Sequence, residues 1–245
     1  MKLAAQTIKY RDGDIELSGL FYWDDSDDCK RAGVLVVHGG AGLDEHAKAH
    51  ARKLASRGFV AFACDMYGNG VAGNRERVMA RIAELRTDTA KLCRRAGAGM
   101  DVLASHPKVD GRLAAIGYCF GGMTVLELAR HGTELAGAIS VHGSLATDRP
   151  AQQGCIKAKL LICHGALDPH VPMQHVNQFM EEMTKAGADW QLIVYGDAMH
   201  GFTHETGSTT PGVAYSALAS RRSDIAVQNF LEEIFDVKSV PTSAA

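Results

Sequence analysis

The stretch that most restricts the fold runs Leu113-Ala114-Ala115-Ile116-Gly117-Tyr118-Cys119-Phe120-Gly121-Gly122. Four apolar residues lead straight into a Gly-x-Cys-x-Gly turn, and Met123 to Arg130 continues as a helix-forming run. A strand that enters a helix through so short a turn belongs in a sheet, with the helix packed back onto its face. The glycines suit a sharp turn in which neighbouring backbone must approach closely.

The rest of the chain repeats this strand-then-helix grammar. Residues 6 to 22 alternate around Asp12-Gly13-Asp14, a hairpin signal, and an acidic solvated loop follows from Asp24 to Asp28. Val34 to Val37 and Phe59 to Cys64 are continuous apolar runs of the kind covered on both faces. Leu135 to Ser140, Lys159 to Cys163 and Trp190 to Tyr195 are further strands. Asp44 is placed to cap a helix running to about Arg57, with Gly58 as its stop. A helical region from about Asn74 to Ser105 is expected to break near Gly97 and Gly99, and His106-Pro107 ends it. Helices are also expected from about Met173 to Ala186 and from about Tyr215 to Phe235. The last presents Leu218, Ile225, Phe230 and Ile234 as its apolar face. The tail from Lys238 to Ala245 reads as loose. Alternating strands and helices predict an α/β protein with a mostly parallel central sheet and helices on both faces. No repeat or linker divides the chain, so residues 1–245 read as a single domain.

With 46% apolar and 22% charged residues, the chain has the profile of a soluble protein with a sizeable core. A formal charge of −2 gives no reason to expect nucleic acid or an anionic membrane as partner. No apolar stretch approaches the roughly 20 residues of a membrane span, and Met1 to Ile8 lacks the hydrophobic segment of a secretory signal. A cytoplasmic location is expected. The six cysteines form no Cys-x-x-Cys pair, and Cys64 and Cys163 sit in apolar strands as inert buried thiols.

Cys119 has the setting that asks for chemistry. Its turn resembles the nucleophile elbow of α/β-hydrolases, with cysteine in the serine position; there the acid and then the histidine follow on loops after later strands. Asp168 comes just after the strand ending at Cys163, and His200 just after the strand ending at Tyr195. Each has a plain alternative: Asp168-Pro169 favours a turn, and His200 is one of eleven histidines. Asp197 competes for the acid, but it lies too close to His200 on one loop. In this reading His200 takes and returns the thiol proton, and Asp168 fixes the imidazole's tautomer. A helix N-terminus and an adjacent imidazole both favour the thiolate over a thiol of ordinary pKa, about 8.5. The oxyanion would meet the backbone N–H of Phe120 and that of Gly40, in His38-Gly39-Gly40-Ala41. A Gly-Gly pair there also suits a tight turn with no catalytic part.

Gly117 to Gly122, Asp168-Pro169-His170-Val171-Pro172 and His200-Gly201-Phe202 together resemble the dienelactone hydrolase family. Asp65-Met66-Tyr67-Gly68 and Gly212-Val213-Ala214-Tyr215 extend the likeness over nearly the whole chain. The resemblance implies an α/β-hydrolase fold and a cofactor-free enzyme opening esters or lactones through a thioester. Two departures stand out. Gly39 holds the place of a glutamate near the thiol. Of two arginines that grip the substrate carboxylate, Arg77 matches the first, while His204 stands at the second. Histidine is a poor substitute for a bidentate guanidinium, so an aryl ester or neutral lactone is expected rather than dienelactone. Tyr67, Phe202 and His204 are expected on the pocket wall. Loss of the acidic neighbour also leaves room for a neutral phosphotriester as a side substrate.

The implied partner is a small-molecule ester or lactone, and a homodimer is compatible with the sequence. The many histidines, His46 and His50 among them, lack a His-Glu-x-x-His arrangement, so no metal is expected. The competing function is a ligand or redox sensor on the same fold, with Cys119 merely reactive.

Overall fold

The computed structural model describes residues 1–206 and 209–236. The expected hairpin forms from β1 (Leu3–Asp12) and β2 (Ile15–Asp24), paired in register from Leu3↔Asp24 to Asp12↔Ile15. Six further strands follow: β3 (Arg31–Val37), β4 (Val60–Cys64), β5 (Val109–Tyr118), β6 (Gly137–Val141), β7 (Lys159–Gly165) and β8 (Trp190–Tyr195). They make one eight-stranded sheet in the order β1-β2-β4-β3-β5-β6-β7-β8. The hairpin joins β4 antiparallel, and the strands from β4 to β8 are parallel. This is the α/β-hydrolase fold.

Among the described residues there are six helices: α1 (Glu45–Ser56), α2 (Arg75–Thr87), α3 (Thr89–Ala104), α4 (Phe120–Arg130), α5 (Met173–Ala186) and α6 (Ala217–Phe235). Strand period sorts the core into two halves. Leu35 and Val37 of β3 join a cluster with residues of α3, α4 and α5, whereas Val34 and Val36 join one with α1 and α6. A fully buried aliphatic side chain of this kind contributes about 1.5–3 kcal/mol. Asp44 caps α1 by accepting the N–H of Ala47 at 3.1 Å.

Two expectations about helices are corrected. The helical region breaks at Asp88, not near Gly97 and Gly99. Asp88 leaves helical geometry (φ −121°, ψ 84°), and its carboxylate accepts the N–H of Lys91 at 2.9 Å, which starts α3 afresh. Gly97 and Gly99 lie inside α3. A Cβ on Gly99 would sit 3.0 Å from Cys64 Cβ, so this glycine serves close helix-to-sheet packing. On α6, Leu218 and Ile225 are exposed, and the buried stripe is Ala219, Ser223, Val227, Phe230, Leu231 and Phe235. Ser223 keeps this stripe closed by turning its hydroxyl onto Ser220 O at 2.9 Å. The expected loose tail, Lys238 to Ala245, lies outside the described residues. Among the described residues no helix is long and apolar enough to cross a membrane.

Candidate active site

β5 delivers Cys119 to the carboxyl edge of the sheet, where it adopts φ 54°, ψ −112° immediately before α4. A non-glycine residue there is strained by about 1–3 kcal/mol, and the surroundings hold it. A Cβ at Gly117 would fall 2.0 Å from Gly121 O, and one at Gly121 2.2 Å from Val37 O. Only hydrogen at both positions lets the turn close against itself and against β3.

The loops after β7 and β8 bring Asp168 and His200 to the sulfur. His200 Nε2 lies 3.1 Å from Cys119 Sγ, and His200 Nδ1 lies 2.7 Å from Asp168 Oδ2. The other oxygen of Asp168 accepts the N–H groups of His170 and Val171 at 2.8 and 3.1 Å. Burial works against charge on Asp168, but the His200 bond and these two N–H groups hold its carboxyl below the ordinary value. Burial also opposes charge on His200, yet its bonds to Asp168 and Cys119 push the imidazole up to about 10. For Cys119 burial opposes ionisation too. The bond to His200, its charge and the N–H groups of Gly40 and Phe120 outweigh it and hold the thiol below its usual value. Both shifts favour a thiolate–imidazolium pair over a neutral thiol beside a neutral imidazole. Cys64, Cys93 and Cys163 behave oppositely: burial pushes their thiols up, to about 12 for Cys93 and Cys163.

The loop after β3 supplies the facing wall. His38 Nε2 accepts the Met66 N–H at 3.1 Å, so its proton is on Nδ1 and is donated to Gly39 O at 2.7 Å. The Gly42 N–H and the Tyr67 hydroxyl reach the same oxygen at 3.2 and 3.4 Å. Three donors thus fix the Gly39–Gly40 peptide. Because that peptide is trans, the Gly40 N–H projects the opposite way and joins the Phe120 N–H at the sulfur. A Cβ on Gly39 would lie 3.7 Å from Cys119 Cβ and 3.9 Å from His204 Cε1. The glycine leaves open the space beside the thiol.

A cavity of about 560 Å³ opens over Cys119 and His200. Of the residues expected on its wall, His204 lines it. Arg77, Tyr67 and Phe202 do not. Arg77 sits in the first turn of α2 and donates outward to Gly70 O at 3.3 Å. Tyr67 is buried behind the loop that follows β3, its hydroxyl on the Gly39 and Gly40 carbonyls. Phe202 is fully buried against Tyr195 and His142. The wall that sequence reasoning missed comes from α2: Met79, Ile82 and Arg86. Their i, i+3, i+7 spacing puts them on one arc beside the buried Val78 and Leu85. That spacing was the available signal.

Behind the elbow lies a second set of imidazoles. His46 stacks on His204 with ring centroids 3.9 Å apart, and His50 stacks on Tyr118 at 4.3 Å. Burial first, then neighbouring imidazoles, push His46 down to about 4 and His50 to about 3. His142 is pushed well down by the same causes. Among the described residues no group of three or more His, Cys, Asp or Glu is arranged to hold a metal ion.

Comparison with known proteins agrees with this architecture. Among solved structures, the protein described as m3DLH is 37% identical with a TM-score of 0.91, covering 96% of this chain and all of that one. A dienelactone hydrolase-like promiscuous phosphotriesterase, P91, from metagenomic libraries is 38% identical with a TM-score of 0.90, at the same coverage. An uncharacterized Caenorhabditis elegans protein, K02A2.1, is 36% identical over 150 residues, 59% of this chain and 95% of that protein. The model of the dienelactone hydrolase family matches residues 19–235, from the second hairpin strand to the end of α6. Elbow, strand order and matched length converge: this chain belongs to the dienelactone hydrolase family, a family of hydrolases.

Proposed function

We propose that this protein is a cysteine-nucleophile hydrolase of carboxylic esters or lactones with Cys119, His200 and Asp168 as its triad. The observation that carries the reading is the unbroken contact from Asp168 Oδ2 through both nitrogens of His200 to Cys119 Sγ, at 2.7 and 3.1 Å. The thiolate attacks the carbonyl carbon, and the oxygen that becomes negative settles between the N–H groups of Gly40 and Phe120. As the tetrahedral centre collapses, the His200 imidazolium gives its proton to the departing alkoxide and a thioester remains on Cys119. His200, now neutral, takes a proton from water, whose oxygen attacks the thioester. A second collapse releases the acid and restores the thiolate and imidazolium. Asp168 keeps the proton on His200 Nδ1 throughout. No cofactor enters these steps.

The substrate favoured is an aryl ester or neutral lactone rather than dienelactone. Gly39 brings no carboxylate to the thiol, His204 is held neutral chiefly by burial, and Arg77 lies off the cavity. Turnover of p-nitrophenyl acetate, a neutral lactone and a dienelactone by the purified protein tests this. Preference for the dienelactone overturns the substrate assignment, and wild-type turnover by Cys119→Ala overturns the nucleophile.

A second substrate class is supported by the open space at Gly39 and by the description of P91 as a promiscuous phosphotriesterase. A tetrahedral phosphotriester needs that room. Hydrolysis of an aryl dialkyl phosphate no faster than in the Cys119→Ala control removes this activity. A sensor role for Cys119 predicts alkylation without any loss of turnover. The hydrolase predicts loss of turnover in step with alkylation.

A further inference from the structure

Among the described residues three non-glycine residues adopt positive φ: Cys119 (54°), His142 (41°) and Asp236 (51°). Asp236 ends α6. The other two touch each other, although they come from different strands.

His142 follows β6 directly, and its own N–H is tied to Cys163 O at 2.8 Å. The left-handed turn there, costly for a bulky side chain, brings the imidazole under the elbow. The Cys119 N–H is shared between Val141 O and His142 Nδ1, each at 3.1 Å. A backbone N–H only donates, so His142 Nδ1 carries no proton and Nε2 carries it. Nε2 then donates to Thr203 Oγ1 at 2.8 Å, and the Thr203 hydroxyl lies in turn 2.9 Å from His46 Nε2. The chain of contacts runs from the amide of Cys119 to α1. It ends at the ring on which His204, in the cavity wall, is stacked.

His142 is fully buried and does not line the cavity. It meets the site through the Cys119 amide, the edge of the His200 ring, centroids 5.5 Å apart, and the His204 ring at 5.6 Å. A space-filling role needs neither an acceptor at Nδ1 nor a fixed tautomer, and glycine or asparagine would fit the backbone with less strain. The geometry supplies both acceptor and tautomer.

We propose that His142 is a positioning residue for the nucleophile. Through its bare Nδ1 it holds the Cys119 amide, and with it the strained elbow, in the orientation from which the sulfur attacks and the Phe120 N–H meets the oxyanion. Thr203 fixes the tautomer that makes this possible. The inference rests on Cys119 being the nucleophile.

The test is the rate of the p-nitrophenol burst from p-nitrophenyl acetate, read with kcat and KM. The proteins compared are wild type, His142→Leu, His142→Asn, Thr203→Val and Cys119→Ala. His142→Leu keeps bulk but loses the acceptor; its burst rate and kcat are expected to fall about 100-fold with KM within a factor of two, as for a small misplacement of a reacting group. Asn keeps an acceptor oxygen and tolerates positive φ, so His142→Asn is expected to recover to within about ten-fold of wild type. Thr203→Val is expected to lose about ten-fold, again in kcat. A wild-type burst rate in folded His142→Leu, or equal losses in Leu and Asn, overturns the proposal. If His142→Leu does not fold, Thr203→Val decides: a wild-type burst rate overturns it and a kcat loss supports it. Turnover by Cys119→Ala overturns the nucleophile assignment itself, whereas an inactive Cys119→Ala beside a fully active His142→Leu overturns only the role of His142.

Discussion

Two groups of imidazoles meet at the elbow with their proton affinities shifted in opposite directions. His200 is pushed up to about 10, while His46 and His50, on the other side of His142, are pushed down to about 4 and 3. All are substantially desolvated, so burial does not separate them. The carboxylate does. His200 bonds Asp168 on one nitrogen and the sulfur on the other; His46 and His50 bond a hydroxyl and each other. A buried imidazole keeps its proton only where a fixed anion faces it. The fold thus favours the charged form at His200 and the neutral form at His46 and His50.

The largest test of that contrast removes the anionic partners. Cys119→Ala is expected to lower turnover of an aryl acetate by at least about 10⁴-fold. Activity near wild type there would make the charged pair irrelevant to function. Asp168→Asn should reduce kcat by roughly 10³–10⁴-fold, because the imidazole loses its tautomer and orientation. It also removes a main support of the His200 proton. In wild type the thiol is held below its usual value and the imidazole is raised to about 10, so the ion pair is favoured at a pH where an ordinary thiol is still protonated. Alkylation of Cys119 by iodoacetamide should therefore set in at lower pH than for an ordinary thiol. In Asp168→Asn the rate should climb with pH as for an ordinary thiol. Identical profiles in the two proteins would show that the pair does not depend on Asp168.

The neutral set gives a smaller effect with its own sign. His46 and His50 bind protons in the unfolded chain near their ordinary value of 6.5, but in the fold only near 4 and 3. Below pH 6.5 the unfolded state binds more protons. The stability these residues support is complete above that pH and is lost as pH falls toward 4 and 3. The melting temperature should drop between pH 7 and pH 4. His50→Phe, which keeps the stack on Tyr118, should flatten that drop by a few degrees in a thermal-shift series. An unchanged pH dependence in the variant would place the acid sensitivity elsewhere.

The candidate triad was legible because its logic is one-dimensional. In a parallel sheet the residue just past each apolar run sits at the carboxyl edge, so Cys119, Asp168 and His200 announce themselves by place alone. The sheet was legible for the same reason. His142 and Thr203 were not, because their link spans 61 positions and depends on a left-handed turn that residue type disguises. Gly99 looked like a helix breaker, and its packing against Cys64 appears only when the sheet is in place. Ser223 hid the true stripe of α6 by being polar at a buried position. Arg77 and Arg86 carry the same charge on the same helix, and only the helix's rotation against the core decides which one faces the cavity.

That rotation, with the break at Asp88, separates two kinds of work. α3 begins at its own cap and is anchored by Leu92, Ala96, Met100 and Leu103, whereas α2 buries Val78 and Leu85. α2 amides should therefore exchange with deuterium sooner than those of α3. The thirteen residues of α2 are also the ones that present Met79, Ile82 and Arg86 to the cavity. Substitutions at these three positions would change the cavity wall without touching the elbow or its supports.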